Sequence, residues 1–76
     1  NSCSDEIFIE GEFGLGVVNY KLKNFDESRG HFMNSYNRAK VKELKRWEAE
    51  NLVYLARIDL LTDQYKEAKD FLIEGE

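Results

Sequence analysis

Apolar residues recur every three or four positions along most of this chain, with polar residues between them, and that spacing predicts helix after helix. The first series, Ile9, Phe13, Leu15, Val17, Val18 and Leu22, predicts a helix from about Asp5 to Leu22, with Ser4 or Asp5 as its cap. Ile7-Phe8-Ile9 is the best strand candidate, but it runs straight into this helical series. Lys23-Asn24 predicts the first turn, because Asn tolerates turn geometry and caps well. A second stripe follows at Phe25, Ser28, Phe32, Ser35, Tyr36 and Ala39. Trp47, Leu52, Leu55, Ala56 and Leu60 mark a third helix, Thr62-Asp63 is expected to break it, and Tyr65, Ala68, Leu72 and Ile73 mark a fourth. Between the second and third helices no Gly or Pro occurs from Val41 to Trp47. The turn is placed near Val41 to Leu44, where the stripe loses phase; an uninterrupted helix there is the alternative, and it would open the chain to domain swapping.

The third and fourth stripes repeat the first and second at an offset of 40 residues. Leu15-Gly16 recurs as Leu55-Ala56, Asn24-Phe25 as Gln64-Tyr65, Glu27-Ser28-Arg29 as Glu67-Ala68-Lys69, and Phe32 as Leu72. A period of this size is the mark of a stacked helical array, whose surfaces bind other molecules. The expected fold is therefore all-α: two antiparallel hairpins, four helices, in one domain over 1–76, with repeat one at about 5–42 and repeat two at about 43–76.

The repeated block resembles the tetratricopeptide repeat, whose signature places a Leu-Gly pair in the first helix and Ala-x3-Phe in the second. The first copy matches at Leu15-Gly16, Phe25, Ser28 and Phe32, and the second at Leu52, Leu55-Ala56, Tyr65, Ala68 and Leu72. The period of 40 exceeds the family's usual 34. The resemblance implies a right-handed superhelical fragment whose small residues, Gly16, Ser28, Ala56 and Ala68, sit where paired helices approach closely. It also implies a concave groove lined by the first helix of each hairpin, which puts Glu10, Phe13, Val17, Tyr20 and Lys21, with Tyr54, Arg57 and Leu61, at a partner-binding surface. The other reading of Phe13, Val17 and Tyr20 is burial against a neighbouring repeat. Chaperone-binding members carry a carboxylate clamp that needs Asn where this chain has Val17.

On that footing the chain is expected to be a non-catalytic module that binds a protein or peptide. The alternative is the peptide-sensing regulatory part of a bacterial transcription regulator or a phosphatase-type member of the same family. Two hairpins are fewer than such arrays usually need. Together with the absence of an initial Met, this suggests a fragment of something longer. Phe71, Leu72 and Ile73 offer more apolar surface than one partner helix covers, so they are the expected self-association residues of a homo-oligomer.

Charge and composition narrow the field. Charged residues reach 34% against 42% hydrophobic, which suits a small helical domain, and no apolar run is long enough to span a bilayer. The net charge of -4 disfavours nucleic acid as a partner of this segment. The basic cluster at Arg38, Lys40, Lys42, Lys45 and Arg46 is interrupted by Glu43 and followed by Glu48 and Glu50, as on a solvated helix end. Cys3 is the sole cysteine, so no disulfide forms within the chain, and a cytoplasmic location fits. His31 is the sole histidine, and no metal-ligand spacing, cofactor motif or catalytic constellation can be assembled around it. Gly11, Gly14 and Gly16 lack the spacing of a dinucleotide loop. Gly16 reads as a packing residue, while Gly11 and Gly14 either fray the first helix or mark a close neighbour.

Overall fold

The computed structural model describes residues 2–74 and, within them, the side chains of 4–63. It contains three helices: α1 at Ser2–Lys21, α2 at Phe25–Val41 and α3 at Lys45–Glu74. The all-α class follows the sequence pattern. Helix α2 is central, and its buried face, Ser28, Phe32, Ser35 and Ala39, steps by four, three and four residues. Because three-residue links cannot carry the chain across the bundle, α1 and α3 both run antiparallel to α2. Phe32, Leu55 and Ile58 form the core, with Phe13, Val17, Tyr20, Phe25, Tyr36 and Tyr54 packed half-buried around it.

The two turns use one device. Lys23 adopts φ 65° and Glu43 φ 57°, both in the left-handed region. In the first, the Asn24 N–H donates to Asn19 O at 2.8 Å and the Lys23 N–H to Tyr20 O at 3.1 Å; in the second, the Leu44 N–H donates to Ala39 O at 2.9 Å and the Glu43 N–H to Lys40 O at 3.1 Å. This pair of bonds is the Schellman arrangement, which satisfies the last carbonyls of a helix. Asn24 and Leu44 then start the next helix by accepting from Ser28 N–H at 2.9 Å and Glu48 N–H at 3.1 Å. Asn24 caps α2 through its backbone only, since its side chain makes no capping bond. The rings of Tyr20 and Phe25, 6.0 Å apart, clamp the first turn from both sides.

Two expectations need correction. Ser4 and Asp5 do not cap α1, which already begins at Ser2. Asp5 turns instead toward the end of α2, where its carboxylate accepts from Arg38 Nη1 at 2.8 Å and meets Lys42 Nζ at 3.3 Å. The larger correction concerns architecture. Thr62-Asp63 breaks nothing: α3 is one helix of 30 residues, so the described residues form three helices rather than two hairpins of two, and the superhelical four-helix arrangement is not formed. Thr62 Oγ1 donates to Asp59 O at 3.0 Å, so its hydroxyl is satisfied within the helix and does not open a turn. No Gly or Pro interrupts Lys45–Glu74, and strong helix formers flank the site on both sides. At ~1.5 Å per residue α3 is about 45 Å long and α2 about 26 Å. The molecule is accordingly elongated, 57 × 19 × 12 Å.

A buried polar line crosses all three helices. Asn51 Nδ2 of α3 donates to Ser35 Oγ of α2 at 2.9 Å, and Ser35 Oγ donates to the Ile9 carbonyl of α1 at 3.0 Å. Two turns along, Ser28 Oγ donates to the Gly16 carbonyl at 2.7 Å. These hydroxyls let the helices approach closely while leaving no donor of Ser28 or Ser35 unpaired.

Candidate functional site

Of the expected groove residues, Phe13 and Tyr20 of α1 and Tyr54 of α3 meet along one seam. Tyr54 lies at its centre. Its ring stacks on Phe32 at 4.8 Å and 15°, and meets Phe13 and Tyr20 edge-on, each at 5.4 Å. Phe13 also meets Phe32 and Trp47 edge-on, both at 5.4 Å. Edge-to-face contact places the positive ring edge on a negative ring face, so the cluster holds its members in fixed orientations. Phe13, Tyr20 and Tyr54 thus pack against the core and one another while remaining half-buried.

The polar residues of the seam stay outside this floor. Glu10, Lys21, Arg57 and Leu61 are exposed, and Val17 is half-buried between Phe13 and Tyr20 in sequence. The Arg57 guanidinium sits over the Tyr54 ring, 5.6 Å from its centroid. At the other end an open cleft of about 510 Å³ lies between the start of α1 and the second turn, lined by Glu6, Glu10, Leu44, Lys45, Arg46 and Trp47 among others. Trp47 was read from the sequence only as part of a core stripe. Its neighbours Phe13 and Glu10 at the cleft became visible only once α1 and α3 were brought side by side. The side chains of Phe71, Leu72 and Ile73, expected to mediate self-association, lie outside the described residues.

Other charged groups are paired within the fold. His31 Nδ1 meets Glu12 Oε2 at 2.7 Å across α1 and α2, and Arg29 bonds Asp59 across α2 and α3. Arg38, from the basic cluster, pairs with Asp5 and lies over the Phe8 ring at 4.5 Å. Lys42 joins the same carboxylate and Lys45 pairs with Glu48 at 3.5 Å, so much of the apparent basic patch is neutralised locally. The Arg38 hydrogen bond, aided by Lys42, holds the Asp5 carboxyl below its ordinary value of 3.8 despite some opposing desolvation. Among the described residues no group of three His, Cys, Asp or Glu side chains could hold a metal ion. No helix there is long and apolar enough to cross a membrane. No family model, curated protein or solved structure matches the chain.

Proposed function

We propose that this chain is a non-catalytic interaction module, of tetratricopeptide-like type in its α1–α2 pair, that binds an extended peptide or protein segment along the α1–α3 seam. The observation that carries this reading is the juxtaposition of an aromatic floor, Phe13, Tyr20 and Tyr54, with exposed charges of both signs at Glu10, Lys21 and Arg57. Aromatic and Arg side chains are the commonest anchors of binding surfaces, the aromatic ones burying large areas while losing few rotamers. Rigid support lowers the ordering cost further, and the ring cluster supplies it. The charges lend direction to the ligand: an acidic residue suits the Lys21 and Arg57 end, and a basic one suits Glu10. The resemblance adds support where Gly16 and Ser28, two of its small positions, meet between α1 and α2.

The test is selection of binders from a random peptide library displayed against the purified chain. Enriched peptides should lose roughly tenfold in affinity on Arg57→Ala or Glu10→Ala, exposed positions whose truncation leaves the core intact. Equal binding to both variants with unchanged helicity would place the ligand elsewhere and reject the seam.

A further inference from the structure

Helix α3 presents a second stripe on the side facing away from α2. Arg46, Ala49, Val53, Ala56, Leu60 and Asp63 follow one another at steps of three, four, three, four and three residues, which places them on one face of the helix. All six are exposed, with Val53 at 49% and Leu60 at 61%. Neither Arg46 nor Asp63 makes an ion pair among the described residues. The core-facing residues, Asn51, Leu55 and Ile58, occupy the opposite side, so this stripe contributes nothing to the packing of α3 on α2.

The order of residues in the stripe is self-complementary. The steps read the same in both directions about a midpoint between Tyr54 and Leu55. Against a copy of itself running antiparallel, Val53 falls opposite Ala56, Ala49 opposite Leu60, and Arg46 opposite Asp63. Each large residue thus meets a small one and each charge meets its opposite, twice over, as a two-fold axis requires. A generic partner helix would not need Arg46 and Asp63 at mirrored positions. Glu50 and Asp59 fall on the flanks of the stripe, and Arg29 already holds Asp59.

We propose that two copies of this chain form a symmetric dimer through antiparallel α3 helices, with the two-fold axis between Tyr54 and Leu55. The interface shares Arg46 with the cleft at the end of the α1–α3 seam but none of the seam's aromatic residues, and it does not depend on the function assigned to the seam. The alanines let the two helix axes come close, Val53 and Leu60 fill the spaces beside them, and Arg46 to Asp63 contacts close both ends.

The register is tested by disulfide trapping in a Cys3→Ser background. Chains carrying Ala49→Cys and chains carrying Leu60→Cys are mixed in equal amounts under a glutathione redox buffer, and the covalent dimers are weighed by mass spectrometry. The mixed species should dominate, because position 49 faces position 60 of the other copy while like positions lie about 16 Å apart along the axis at ~1.5 Å per residue. Statistical mixing, or no covalent dimer, overturns the proposal. In parallel, sedimentation of the full chain should give a dimer that Ala56→Glu weakens roughly tenfold or more by burying like charges against apolar neighbours. A wild-type monomer across the micromolar range, or an Ala56→Glu chain that associates as tightly as wild type, counts equally against it. Arg46→Glu should weaken the dimer and Arg46→Glu with Asp63→Arg should restore it; failure of the restoration rejects this register.

Discussion

Gly16 has no side chain where one would collide with the core. A Cβ built there lies 2.8–2.9 Å from three ring carbons of Phe32, and that ring is fully buried between Phe13 and Tyr54 and cannot retreat. At Gly11 and Gly14, on the same helix, a Cβ would have nothing among the described residues within 4 Å. The three residues therefore act in opposite directions. Gly16→Ala should lower stability by about 1–2 kcal/mol, overpacking outweighing the better helix propensity of Ala. Gly11→Ala and Gly14→Ala should each raise it by up to about 1 kcal/mol. Urea unfolding of the three single variants checks both signs, and a destabilised Gly14→Ala would mean that the open side of α1 is covered by something. The resemblance to the tetratricopeptide repeat implied a packing role for Gly16, one of its small positions. It left Gly11 and Gly14 undecided, since fraying and a close neighbour both look like glycine in a sequence.

At the level of elements, the sequence located both observed turns, yet for only part of the reason that operates. Lys23-Asn24 was legible through Asn24, and the second turn through loss of phase near Val41 to Leu44. What makes each turn is a left-handed residue, Lys23 or Glu43, at a position where glycine is the usual choice. Neither carries a turn signal of its own. At Thr62-Asp63 the 40-residue repeat asked for a third turn, but the Thr62 hydroxyl bonds back to the Asp59 carbonyl within the helix and α3 runs on through the site. Asn51 was missed altogether as a core residue, because a polar residue in an apolar stripe shows its partners only after Ser35 is brought beside it. Left-handed backbone strains a side-chain-bearing residue by ~1–2 kcal/mol, partly offset by the greater freedom glycine gives the unfolded chain. Lys23→Gly and Glu43→Gly should therefore each stabilise the fold, by about 0.5–1 kcal/mol. Thermal unfolding should show a rise in midpoint for each and near-additive effects in the double variant, since the turns lie at opposite ends of α2.

Across the whole molecule, the ends of the helices are tied by charge where the apolar core thins out. Asp5 is the clearest case: near the start of α1, its side chain only 11% exposed, it meets Arg38 and Lys42 at the far end of α2. The Arg38 hydrogen bond and Lys42 keep the carboxyl below its ordinary value of 3.8, so folding favours the ionised form. A depressed folded-state value means that the unfolded chain binds the proton more readily. The stabilisation is accordingly complete above the ordinary carboxylate range and disappears as pH falls through the lowered value in the folded chain. The chain carries 15 Asp and Glu residues, so acid sensitivity of the wild type alone cannot be assigned to one of them. Asp5→Asn isolates the contribution: it keeps an acceptor for Arg38 and removes the charge that titrates. At neutral pH the variant should melt at a lower temperature than the wild type, and the gap should narrow as pH drops below about 4. A gap that persists unchanged at pH 2 would show that Asp5 acts through packing or hydrogen-bond geometry rather than charge. Added salt provides a second discriminant, because the Arg38 and Lys42 side chains are 43% and 47% exposed and open to screening. Raising ionic strength at pH 7 should therefore shrink the same gap in part, while leaving the effect of Gly16→Ala, which is steric, where it was.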